Sequence, residues 1–162
     1  MSRNTVRMRA AAVVAGTFAL LAGGVAPASA EGSILTIRTT IDSHVCLEVG
    51  GWATNNGAPV NLWECTGGEN QQWDFVTHDG YYQIKNVNSG KCLEVRDWST
   101  VWGAQIDQWD CTGGANQDWQ VGAGRYVNRY SRLLLEIHGW STANGTSVDQ
   151  WGSNDGANQI WR

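Results

Sequence analysis

Three glutamates stand at matching places in this chain, Glu48, Glu94 and Glu136, and each is followed four residues later by a tryptophan, Trp52, Trp98 or Trp140. A polar residue then lies two positions before a further tryptophan: Asn61 before Trp63, Asp107 before Trp109 and Asp149 before Trp151. Each set closes on an Asn-Gln pair, Asn70-Gln71, Asn116-Gln117 and Asn158-Gln159. A carboxylate accepts two hydroxyl hydrogen bonds, and an indole offers a flat apolar face. Side by side they suit a sugar ring, whose polar edge meets the acid while its C–H face lies on the indole. Symmetry of a fold obliges core residues to recur, but not exposed acids and tryptophans.

Other chemistries fit these residues less well. A carboxylate pair such as Glu94 with Asp107 could serve glycoside hydrolysis. The first set, however, has Asn61 in place of the second acid and is otherwise intact, and nothing outside the sets offers a catalytic cleft. The expectation is a protein that is not an enzyme. The "TGG" glycines at 66–68 read as tight-turn residues rather than a phosphate cradle. His44, His78 and His138 fall at unrelated positions and read as ordinary surface or loop residues. The cysteines lack a CxxC pair and the spacing of a zinc ligand set, so no metal or cofactor is expected.

These residues are organised by an internal repeat, with spacings of 46 and then 42 residues. "CTGGENQQW" (65–73) returns as "CTGGANQDW" (111–119) and as "SNDGANQIW" (153–161). Nine of the ten tryptophans occupy just three repeat positions, and only Trp102 stands outside them. The closing tryptophans, Trp73, Trp119 and Trp161, read as core. Short alternating runs such as "CLEV", "APVNLW" and "AQIDQW" signal strands, separated by turns such as "TNNG" and "TANG". Three four-strand units predict an all-β, trefoil-like barrel, whose closure removes exposed edges. The repeats run over about 35–76, 77–122 and 123–162.

The third repeat also selects the disulfides. Four cysteines allow three connectivities. Both cysteine positions are replaced together in the third copy, by Leu134 and Ser153. Joint loss is what bridges within a repeat predict: Cys46–Cys65 and Cys92–Cys111, each worth roughly 3 kcal/mol in the chain-entropy picture. If Cys46 faces Cys65 across a hairpin, then Glu48 faces Trp63, Glu94 faces Trp109 and Glu136 faces Trp151 on one side of the sheet. Leu47 and Val49 then point into the core.

The pattern "CLEV … G … W-x-C-T-G-G-x-N-Q-x-W" resembles the ricin B-type β-trefoil lectins and the family 13 carbohydrate-binding modules of secreted bacterial proteins. The resemblance implies a β-trefoil with up to three sugar pockets. It implies the ligand sets Glu48, Asn61, Trp63 and Asn70; Glu94, Asp107, Trp109 and Asn116; and Glu136, Asp149, Trp151 and Asn158. Gln71, Gln117 and Gln159 would hold the pockets from below. Two departures repeat three times. Glutamate replaces the family's usual aspartate, and Trp52, Trp98 and Trp140 are added near the pocket mouths. With second carboxylates in sites two and three, the pockets read as electronegative, which suits an amino-bearing ligand as well as a neutral sugar. A further alternative is a targeting or adaptor subunit of a larger secreted assembly.

Residues 1–30 carry a basic start, an apolar run and the Ala28-Ser29-Ala30 site of a secretory signal peptide. The expectation is a secreted single domain over 31–162 without a membrane span. That segment holds eight Lys/Arg against fifteen Asp/Glu, a net charge of −7. Such a balance disfavours nucleic acid and anionic membranes as partners.

Overall fold

The computed structural model describes residues 32–162, so the expected signal peptide lies outside the described residues. Glycine-rich turns interrupt the sequence too often for an α-helix, and the described residues form strands joined by one-turn 3-10 segments. The first repeat holds β1 (Ser33–Thr36), β2 (Val45–Val49), β3 (Ala58–Glu64) and β4 (Gln72–His78). The second holds β5 (Tyr81–Asn86), β6 (Cys92–Val95), β7 (Ile106–Trp109) and β8 (Asp118–Gly122). The third holds β9 (Arg125–Asn128), β10 (Leu134–Ile137) and β11 (Val148–Trp151). Its fourth strand has shrunk to a bridge between Trp161 and Thr39.

All strand pairs are antiparallel, and they close on themselves as a β-trefoil. Ser33–Thr36 pairs with β4, in a register that matches Leu35 to Trp73. Arg38 and Arg162 exchange backbone hydrogen bonds of 2.8 and 2.9 Å, which seals the chain ends. The three hairpins β2–β3, β6–β7 and β10–β11 meet through Ala58 opposite Gln108 and through the bridges Asn61–Ser147 and Gln105–Asp149. No helix among the described residues is long and apolar enough to cross a membrane.

Leu47, Val49, Leu93, Val95, Leu135 and Ile137 are fully buried, as the alternation in the C-L-E-V strands requires. The closing tryptophans Trp73, Trp119 and Trp161 join them in the core. A buried indole needs an acceptor for its N–H. Each Nε1 donates to the leucine carbonyl of its own repeat, at Leu47 (3.1 Å), Leu93 (3.0 Å) and Leu135 (3.1 Å). One phrase therefore fixes both the barrel strand and the residue that plugs it.

Both expected disulfides form, Cys46–Cys65 and Cys92–Cys111, each with Cα atoms 5.1 Å apart. The register around them differs from expectation by two residues. Cys46 faces Trp63 and Glu48 faces Asn61; Glu94 faces Asp107 and Glu136 faces Asp149. The bridge runs diagonally, because Cys65 lies one residue past the last paired position, Val45 with Glu64. A shift of two leaves every side chain on its expected face.

Candidate functional site

The chain turns sharply after each C-L-E-V strand, through Gly50–Trp52, Arg96–Trp98 and His138–Trp140. The last two residues of each turn are left-handed. Their φ values are 60° and 58° at Gly51-Trp52, 54° and 55° at Asp97-Trp98, and 60° and 64° at Gly139-Trp140. A bulky residue at positive φ is rare, and it costs of the order of 1–3 kcal/mol unless its surroundings over-determine it. The same strained turn occurs three times and stands the indole at the rim of a hollow. Its edge rests on a glycine of the T-G-G or N-D-G loop. A Cβ built on Gly68, Gly114 or Gly156 would lie 2.6, 2.6 or 2.5 Å from Cζ2 of Trp52, Trp98 or Trp140.

Beneath each indole, the glutamate is tethered. Oε2 of Glu48 accepts from Asn70 Nδ2 and Gln71 Nε2, both at 3.1 Å. Oε2 of Glu94 accepts from Asn116 (3.1 Å) and Gln117 (2.8 Å). Oε2 of Glu136 accepts from Asn158 (3.2 Å) and Gln159 (2.9 Å). Among the described residues, no donor reaches Oε1 of Glu48, Glu94 or Glu136. Each glutamine is itself fixed from two sides. Gln71 donates to Glu64 O at 2.9 Å and accepts from Thr66 N at 2.8 Å, and Gln117 repeats this with Asp110 and Thr112. In the third copy the partners are Gly152 O and Asn154 N. The extra methylene of glutamate over aspartate spans the gap to this amide pair. Burial pushes all three carboxyls above the usual glutamate value, against the opposing pull of the amide N–H groups.

Two solvent-open hollows result, of about 490 and 480 Å3. Site one is lined by Glu48, Gly51, Trp52, Trp63, Thr66 and Asn70. Site two is lined by Glu94, Asp97, Trp98, Trp109 and Thr112. Trp63 and Trp109 stand 41% and 42% exposed, available as flat walls. In the third copy, the equivalent residues are Glu136, Trp140, Trp151, Asn154 and Asn158.

The second polar position is a correction to the expected ligand sets. Asn61 and Asp107 do not line the hollows, and Asp107 and Asp149 are buried. Arg96 Nε donates to Asp107 Oδ2 at 2.7 Å, and His138 Nδ1 lies 2.7 Å from Asp149 Oδ2. Asp107 is therefore paired with a permanent cation, whereas Asp149 is held by a hydrogen bond to an imidazole. His138, expected to be an ordinary loop residue, is that partner. The signal was in the aligned repeats: Gly50 accompanies Asn61, while Arg96 and His138 accompany the two aspartates. His78 also has a partner, Asp118 Oδ1 at 2.9 Å, and the exposed His44 lies 3.3 Å from Asp42 Oδ1. Thr66, Thr112 and Asp97 line the hollows without having been singled out. The threonines were hidden in a phrase that read as a turn.

Comparison with known proteins agrees with this architecture. The family profile described as ricin-type β-trefoil lectin domain-like matches residues 28–109 and 69–151. ThreeFoil, a designed threefold symmetric protein, is 36% identical with a TM-score of 0.75, covering 80% of this chain and 96% of its own. An exo-β-1,3-galactanase from Clostridium thermocellum is 32% identical with a TM-score of 0.73, covering 78% of this chain but 29% of its own. A non-toxic homologue of type II RIPs from Momordica charantia, in complex with α-methyl-D-galactoside, is 25% identical with a TM-score of 0.70, covering 83% of this chain and 48% of its own. The chain thus spans under a third of the galactanase and about half of the bitter gourd protein. No curated protein matches the chain.

Proposed function

This chain belongs to the ricin-type β-trefoil lectin-like family; on that premise we propose that it is a secreted, non-catalytic lectin with three shallow sugar pockets. The observation that carries the reading is the tethered glutamate, built by the same contacts in each repeat beneath an exposed rim indole and beside a wall indole that is exposed in the first two repeats and half-buried in the third. The glutamate's second oxygen offers an acceptor to a ring hydroxyl, and the indoles offer faces to its C–H surface. Asp107 is paired with Arg96, and both Asp107 and Asp149 are buried, so the free acceptor of each pocket is the glutamate, which suits a neutral sugar as well as an amino-bearing one. Two disulfides agree with an oxidising, extracellular setting.

A single shallow site binds at about millimolar, roughly −4 kcal/mol. Engaging two or three sites on one polymer raises apparent affinity by about 10² to 10⁴. Galactosides are the first candidates, given the complex of the bitter gourd homologue. A glycan array carrying galactosides, xylans and amino sugars tests the proposal, with the Trp63→Ala, Trp109→Ala and Trp151→Ala triple variant alongside. Binding by the native protein that the triple variant loses supports the lectin. Equal binding by both refutes the pockets.

A further inference from the structure

Trp102, the tryptophan outside the threefold pattern, is placed by a loop of the second repeat against the third site. Its repeat equivalents are Asn56 and Asn144. Those asparagines perform one task, accepting from the backbone N–H of the residue after the next site's wall tryptophan. Asn56 Oδ1 accepts from Asp110 N at 3.0 Å, and Asn144 Oδ1 accepts from Glu64 N at 2.8 Å. At the third such junction the pair becomes Trp102 with Gly152.

The loop backbone is unchanged by this swap. Gly57, Gly103 and Gly145 each donate to the facing strand, at Gln108 O, Gln150 O and Leu62 O, over 2.7–2.8 Å. Gln150 Nε2 also grips Ser99 O and Val101 O at 2.9 and 3.0 Å, as Gln108 grips the first loop. Only the side chains differ, and they differ together. A Cβ on Gly152 would lie 2.6 Å from Trp102 Cζ2, so the glycine is the seat that admits the indole. There Trp102 meets Trp151, with ring centroids 5.3 Å apart and planes tilted by 49°. Despite this packing, Trp102 remains 58% exposed.

Resting on the lectin reading above, we propose that Trp102 and Trp151 form a two-indole platform that gives site three a second subsite. Site three then takes a chain of at least two sugar rings, while sites one and two each take one. The separation of the two indoles is comparable with that of adjacent rings in a linear polysaccharide. Their tilt suits a chain that twists between residues. A polar junction at Asn56 or Asn144 offers no such second face.

The test uses the Trp63→Ala, Trp109→Ala variant, in which only site three keeps its wall. Indole N–H resonances of Trp102 and Trp151 are followed by NMR during titration with three series. These are galactose, β-1,3-galactobiose and β-1,3-galactotriose; xylose, xylobiose and xylotriose; and glucosamine with its β-1,4-linked dimer. The expected result, in a series that moves Trp151, is a disaccharide bound about tenfold tighter than its monosaccharide, with Trp102 shifting too. Trp102→Asn with Gly152→Asp restores the pair found at the first junction. It should abolish the tenfold gain and leave monosaccharide affinity unchanged, with Trp119 and Trp161 resonances reporting an intact core. Movement of Trp151 without Trp102, equal affinity for one ring and two, or parallel loss of both in the restored variant would overturn the subsite while leaving the lectin. No movement of Trp151 with any series would overturn the subsite together with the third pocket, and leave the lectin reading to sites one and two.

Discussion

Glu48, Glu94 and Glu136 are where the chemistry concentrates, and their burial has a pH consequence. A carboxylate pushed above its ordinary value of 4.5 protonates earlier on acidification. Binding that needs the ionised acceptor should therefore fade at a pH above that value, which affinity measured between pH 4 and 7 will show. An acid limb at or below 4.5 would mean that the glutamates are not the acceptors. The sign for stability is opposite. A raised carboxyl favours the folded state at low pH, and its contribution is lost as pH rises through the raised value. These three groups should therefore not drive acid unfolding. Asp97 offers a second test. It is left-handed at φ 54° where the other repeats have Gly51 and Gly139. Asp97→Gly should raise stability by about 1 kcal/mol, read by denaturant unfolding. The glutamates were legible because they recur at one repeat position. The roles of Arg96 and His138 were not, because a loop base gains its partner only when the hairpin register sets Asp107 and Asp149 beside it.

The hairpin and its rim turn are the working element. Gly68 has φ of −64°, which alanine adopts freely, so Gly68→Ala acts through what its Cβ would meet, the Trp52 indole at 2.6 Å and Asn70 Oδ1 at 2.7 Å. It should weaken site one by about tenfold with little change in fold, seen as loss of the Trp52 indole shift on titration. Replacing Cys92 and Cys111 together should cost about 3 kcal/mol in unfolding free energy. Strand identity and cystine pairing were readable from alternation and from the joint loss at Leu134 and Ser153. The exact register was not. A cystine constrains two Cα atoms to 5.1 Å, and both a directly opposed and a diagonal pair satisfy that. The reduction of the last strand to the Trp161–Thr39 bridge was equally hidden, since it depends on how the chain ends meet.

At the scale of the whole molecule, the barrel's closure holds three sites in fixed relation, and Trp102 breaks their equivalence at one junction. The sequence repeat showed the threefold plan but counted Trp102 only as an extra, because its contact with Gly152 joins residues of different repeats. Silencing two sites through Trp63→Ala and Trp109→Ala should lower apparent affinity for a polysaccharide by about 10² or more, with monosaccharide affinity at the remaining site unchanged. Surface plasmon resonance on an immobilised polymer, beside solution titration, separates the two effects. The most direct test of the central claim is the stoichiometry of a monosaccharide that the array identifies, measured by calorimetry on the native protein and on each single tryptophan-wall variant. The account predicts three equivalents for the native protein and one fewer for each of Trp63→Ala, Trp109→Ala and Trp151→Ala. A stoichiometry that none of the three substitutions lowers would contradict it.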